Sequence, residues 1–345
     1  MVNQDKFIDP HSWLRIYTID KEFLNRFLSK DKISLNSENK IDFIKDNKNN
    51  IEGELIIKNM SLIVNMTREN YFKQYLKMTQ EQIDNILETF LNEFKQNIPM
   101  EYKRIKENYL KQVIEIYSPF YIIEDKSNVS YIILSDKFVK LILTKINEEL
   151  GTIPNIYELP DGPNFFLWLF SKYWYNKNIG DIKITNVTSI SNIEESYNHL
   201  YNHSAKGDSQ KNSLEICFKL TLNKIIKSLK FTISYEDFEV GISINIPDYA
   251  NAPKSFKFII PLNEIKLPEY IKEKINELEP NKNKENFLEK NIVIYIIFNY
   301  ILKILAKQFD LEKNDWEKTK KDEFLNEIKK YAVNKLEVSK NGARN

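Results

Sequence analysis

Glycine is nearly absent from this chain, and that scarcity limits the folds and sites it can build. Gly53, Gly151, Gly162, Gly180, Gly207, Gly241 and Gly342 are the only seven among 345 residues, and they stand far apart. A loop that cradles phosphate or a dinucleotide needs clustered glycines, because the backbone must turn sharply and bring its N–H groups up to the ligand. The sequence contains no Walker A loop, GxGxxG fingerprint or kinase-type glycine loop. Enzymes built on those loops are excluded, and so are their nucleotide cofactors.

Composition narrows the remaining classes. An apolar content of 42% fills a sizeable core, and 29% charged residues is ordinary for a globular protein, so global disorder is not expected. A length of 345 residues suits one large or two medium domains. Fifty basic and forty-nine acidic side chains leave a formal charge of +1, without the basic field a dedicated nucleic-acid binder uses to displace counterions. Cys217 is the single cysteine, which rules out an intrachain disulfide or a cysteine-based zinc site and suits a reducing compartment. Asp5, Asp9, Asp20 and Glu22 make the N-terminus unlike a secretory leader, so a cytoplasmic location is expected. The most apolar stretch, Ile292 to Ala306, is broken by Asn299 and Lys303 and falls short of the roughly 20 residues of a membrane-spanning helix. It reads as a buried core helix, with peripheral membrane contact as the alternative.

Capping chemistry marks the first clear helix. Thr79 and Gln82 stand at capping-box spacing, Met78 and Ile83 are placed for a hydrophobic staple, and Pro99 closes the segment. Ile83, Ile86, Leu87, Phe90, Leu91 and Phe94 share one helical stripe, a face that must pack on something. A second helix is expected from Ser135, carrying Phe138, Val139, Ile142, Leu143, Ile146 and Leu150 and stopping at Gly151. Leu55 to Ile57 and Leu62 to Val64 flank a polar interruption and suggest a small hairpin, while Asn36 to Asn50 reads as an exposed loop.

Pro154, Pro160 and Pro163, with Asp161 and Gly162, form the strongest break in the chain. The expected organisation is a helix-rich N-terminal lobe over 1–151 with a small β element, a proline-rich connection over 152–164, a second lobe over 165–338 and a flexible tail over 339–345. Directly after the break, Phe165, Phe166, Trp168, Phe170, Tyr173, Trp174 and Tyr175 place seven aromatics in eleven residues. The period then changes. Leu214 to Leu222, Leu229 to Tyr235, Val240 to Ile246 and Phe256 to Ile260 alternate apolar and polar residues, which predicts a four-stranded antiparallel meander. Helical periodicity returns after Pro268, with Glu317 and Lys321 at i,i+4 spacing. Segregated helix and strand runs predict an α+β fold.

Few constellations suggest chemistry. Glu195, His199 and His203 recur every fourth residue and, on a helix, project from one side as the beginning of a divalent-metal site. Leu200 stands where a zincin motif requires its glutamate, and the surrounding composition also suits a solvated polar segment. Strand alternation turns Cys217 toward the polar face, with no base predicted beside it. No GxSxG elbow and no general acid or base can be assigned. The aromatic segment suits an inter-lobe anchor or, through Phe165, Phe166, Trp168 and Trp174, a surface for a protein partner. The expected function is a non-enzymatic interaction or assembly component of an intracellular complex, with no cofactor. The alternatives are a metal-assisted hydrolase built on Glu195, His199 and His203, and a peripheral membrane adaptor.

Overall fold

Strands occupy far more of the chain than its regular period-2 runs predict. The computed structural model describes residues 13–43, 53–124, 129–135, 138–157, 159–160, 162–193, 202–206, 217, 220, 226–235, 237–245, 257–260, 265–278 and 287–342. The chain divides into two units, the first built from residues 1–12, 18–40 and 56–155 and the second from 13–17, 41–55 and 156–345.

The first unit contains the Thr18 end of β1 (Leu14–Asp20), α1 (Lys21–Leu28), most of β2 (Ile33–Phe43) and β3 (Gly53–Thr67), and α2 (Arg68–Asn70), which runs into a π turn at Tyr71–Tyr75. It continues through α3 (Gln80–Asn97), α4 (Pro99–Lys111), β4 (Val113–Glu124), β5 (Val129–Ser135) and α5 (Val139–Leu150). Its strand order is β2-β3-β4-β5-β1. Phe120 pairs with Leu134 and Ile122 with Ile132 across β4 and β5, and all four are fully buried. Phe27 of α1 lays its ring 5.6 Å from that of Phe120, and α5 buries Ile142 and Ile146. Gly151 ends α5 at φ 70°, the left-handed cap a Cβ disfavours, and its N–H donates to the carbonyl of Asn147.

The expected helix-rich lobe with a small hairpin is therefore incorrect. The two apolar runs within 54–66 belong to the single 15-residue strand β3, and β2 covers much of the stretch expected as a loop. The polar interruption is buried and satisfied rather than turned to water. Asn36 donates to Ser61 at 2.8 Å, and Lys58 pairs with Glu124. Pro119 disguises β4 as a broken segment. It lies opposite Ser61 of β3, where the pairing with β5, beginning at Phe120, has already ended, so its missing N–H breaks no ladder on that side.

The second unit takes the Leu14 end of β1, and β6 (Asn155–Ile156) pairs with β1. It continues with α6 (Gly162–Trp174), β7 (Ile182–Ile193), β8 (Asn202–Lys206), β9 (Ile226–Tyr235), β10 (Phe238–Asn245), β11 (Lys257–Ile259) and β12 (Ile265–Lys266). The helices α7 (Glu269–Leu278), α8 (Phe287–Ile296), α9 (Leu302–Asp315) and α10 (Lys321–Gly342) complete it, with π turns at Ile297–Ile301 and Trp316–Lys320 joining the last three into one run. The strand order is β1-β11-β10-β9-β7-β8, with β12 also beside β10. The register sets Ile233 against Val240, Phe231 against Ile242 and Leu229 against Ile244.

The predicted four-stranded meander is also corrected. Its last three runs correspond to β9, β10 and β11, but Cys217 and Leu220 in the first are helical, and both are buried. The place beside β9 belongs to β7, whose apolar residues Ile182, Ile184, Val187 and Ile190 change parity twice. Register shifts between Ile184 and Asn186 and between Val187 and Ser189 absorb the change, which is why strict alternation does not reveal the strand. α10 carries helical backbone through Gly342, into the segment expected as a tail. Glu317 falls in a π turn, and Lys321 donates instead to Asn164 of α6 at 2.8 Å.

Candidate interaction surface

The helical hairpin α3–α4, within the first unit, is held by its sequence at both ends. Thr79 and Gln82 form the expected capping box, each side chain accepting from the other's backbone N–H, at 3.3 and 2.9 Å. Pro99 both stops α3 and starts α4, where a missing N–H costs nothing because the first turn leaves it unpaired. Ile83 and Leu87 of α3 bury against Leu110 of α4, with Phe72 and Met78 closing the cluster. Asp84 meets Lys106 at 2.7 Å, and that hydrogen bond holds its carboxyl below the usual range. Glu88 meets Lys95 at 2.8 Å and raises the ammonium's pKa, while Lys95 also sits 5.9 Å from the centre of the Tyr102 ring.

This packing uses only part of the apolar stripe. Ile86, Phe90 and Phe94 remain 39, 79 and 44% exposed, and Ile98 and Met100 at the hairpin turn remain 46 and 92% exposed. Burial divides the stripe along its length: Ile83 and Leu87, in the first turns, pack with Leu110, Phe72 and Met78, whereas Phe90 and Phe94 toward the hairpin turn, with Ile86 beside them, form a ridge in water. Single exposed apolar residues are ordinary, but a run at four-residue spacing is a contiguous patch. The stripe is legible in the sequence up to Phe94; Ile98 and Met100 lie at and beyond the stop that Pro99 imposes. The signal for Ile98 is the continuation of the four-residue apolar spacing past the helix end, whereas Met100 lies off that spacing.

The sequence-derived partner residues lie elsewhere. Phe165, Phe166 and Trp168 are fully buried, and Trp174 is 8% exposed. α6 is apolar all round because it has neighbours on several sides: β7 and β9 of the sheet, and α9 and α10. Phe165 and Trp168 set their rings 5.5 and 5.4 Å from Phe309, and Trp174 sets its ring 5.2 Å from Tyr331. Each indole N–H donates to a glutamate on the long helix, Trp168 to Glu312 at 3.1 Å and Trp174 to Glu327 at 3.2 Å. Burial pushes the Glu312 carboxyl up, but hydrogen bonds from Gln308, Lys172 and Trp168 outweigh it and leave the pKa lowered. The surface these rings were expected to offer a partner is occupied by the chain itself.

His203 lies on β8 opposite Asn192, while Glu195 and His199 fall outside the described residues. The helical spacing that grouped the three does not extend through His203. Among the described residues, no three His, Cys, Asp or Glu side chains gather closely enough for a metal ion. Cys217 is fully buried, and desolvation pushes its thiol up to about 11. It should therefore react with a disulfide reagent no faster than the chain opens and rapidly in denaturant; fast stoichiometric labelling of the folded protein would contradict its burial.

A cleft in the second unit, lined by Ile16, Tyr157, Leu159, Ile244, Phe258 and Phe298, has room for about one water molecule. The helix Leu288–Lys335 is long and apolar enough to cross a membrane by length and composition, with a mean hydropathy of 1.6 in its most apolar window, yet 61% of that window is buried inside the protein. Ile292, Val293, Ile297, Ile301 and Leu302 are completely enclosed, as expected of a core helix. Comparison with protein-family models and with curated proteins gives no match.

Proposed function

We propose that this chain is a non-enzymatic interaction component of an intracellular protein assembly, and that the exposed ridge of α3–α4 is its docking surface. The observation that carries this reading is the run Ile86, Phe90, Phe94, Ile98 and Met100, presented on a hairpin whose own core is already complete without it. Taking a large apolar side chain at roughly 150–250 Å², the exposed fractions amount to roughly 600 Å², the upper end of the patches found on monomers and commonly functional there. Apolar anchors at i and i+4 on one helix are the pattern a groove or a second helix recognises. The single cysteine suits a reducing cell interior.

Replacing Phe90 and Phe94 together by serine should leave unfolding midpoints almost unchanged, because exposed positions contribute little to the fold, about 0.5 kcal/mol each. In extracts of the native cell, the parent chain should migrate well above its 41.1 kDa mass and the double variant should fall back toward it. Migration of the parent chain at its own mass would overturn the proposal.

A further inference from the structure

We infer that the occupant of this ridge is a second copy of the same chain, an inference that rests on α3–α4 being an interaction surface at all. The ridge is a palindrome of residue types: Ile86, Phe90, Phe94 and Ile98 follow one another at intervals of four. Two antiparallel copies of α3, centred midway between the phenylalanines, set Phe90 of each against Phe94 of the other and Ile86 against Ile98. A two-fold contact requires such a surface, since each patch must complement itself. Four-residue ridges also interlock with one another, at a crossing angle of about −50°.

The area agrees with this occupant. The four paired residues expose roughly 400 Å² on each copy, and Met100 beside Ile98 brings this to roughly 600 Å², so a contact that also covers the hairpin turn buries roughly 1,200 Å² in total, the lower bound of stable protein–protein contacts. The charges nearest the ridge on α3 are few. Asp84 is paired with Lys106 and Glu88 with Lys95, while Gln82, Thr89 and Asn97 along the exposed side of α3 are neutral. A bilayer carrying anionic lipid calls instead for a basic flank along the apolar face. Glu93 is the remaining charge on that side of α3, and the two-fold brings it toward Glu93 of the other copy at the rim. Like charges meeting there predict a contact that tightens when they are removed or screened, a property a different partner would have no reason to share.

Sedimentation velocity of the full chain over a concentration series, with and without added salt, tests this. The parent should sediment at twice 41.1 kDa. Phe90→Ser with Phe94→Ser should weaken association by roughly 100-fold or more, as for central hot-spot residues. Glu93→Gln should strengthen it, and circular dichroism should show both variants folded. A photoreactive residue at Thr89 in the producing cell separates the alternatives: an adduct of doubled chain mass supports the inference. A purely monomeric chain with an adduct to another protein overturns the second copy and leaves the interaction reading standing. A monomer without an adduct, or one that cosediments with anionic phosphatidylserine vesicles, overturns both.

Discussion

Trp168→Ala is expected to cost about 3–5 kcal/mol of stability, the largest effect of any single substitution considered for this chain. The indole is fully buried, stacked 5.9 Å from Phe165 and edge-on 5.4 Å from Phe309. Its removal opens a cavity in α6 and takes away one of the donors to Glu312, which Lys172 and Gln308 then hold alone. Native stability is typically about 5–15 kcal/mol, so a loss of this size shifts the urea midpoint strongly or prevents soluble expression. Trp168→Phe separates the two contributions. It keeps most of the apolar volume and removes the N–H bond, so about 1–3 kcal/mol should be lost, the range for one hydrogen bond to a charged group plus imperfect packing. A midpoint for Trp168→Ala within error of the parent would mean that α6 is not enclosed as described.

The second large effect comes from deletion rather than substitution. Trp316 and Phe324 are eight residues apart, which in a regular α-helix rotates them about 80° off a common face. Their ring centres nonetheless lie 6.1 Å apart, because the π turn Trp316–Lys320 absorbs one surplus residue. Deleting Lys318, an exposed residue inside that turn, should relax it to α-helix and leave Phe324, Ile328 and Ala332 facing inward, at a cost below about 1 kcal/mol. Deleting the exposed Asn326 has no such outlet. It rotates Ile328, Ala332 and Glu327 by about 100°, exposing the first two and stranding the indole of Trp174, for a loss of about 3 kcal/mol or more. Thermal and urea unfolding of the two deletions side by side decides the matter. Equal damage from both would remove the register role assigned to the π turn.

Both expectations depend on features only partly legible in the amino-acid order. The α3 capping box, the stop at Gly151, the strands β9 and β10 and the helical character of the segment around Ile292 were visible, because each is specified by neighbours within a few residues. β3 and β7 were hidden because their patterns answer to distant partners. Asn59 and Ser61 can sit in a buried strand because Asn36 is brought to them, and the parity changes of β7 are taken up by bulges against β9. At the candidate site, the stripe on α3 was readable and its division was not. Which of Ile83, Ile86, Leu87, Phe90 and Phe94 goes inward depends on where α4 lies, and the ion pair Asp84–Lys106 shows that placement only once the hairpin is formed.

The aromatic segment makes the same distinction. Seven rings in eleven residues state that a large apolar surface exists at α6, but cannot state what covers it, and the chain supplies the cover with Phe309, Phe324 and Tyr331 from more than a hundred residues away. By itself the sequence determined local matters: where helices are capped, where backbone can turn left-handed, and that seven scattered glycines cannot form a phosphate cradle. Burial was decided only by the tertiary structure, because whether an apolar face is core or docking surface depends on whether another element reaches it. For α6 one does. For Phe90 on α3, none among the described residues does more than brush it.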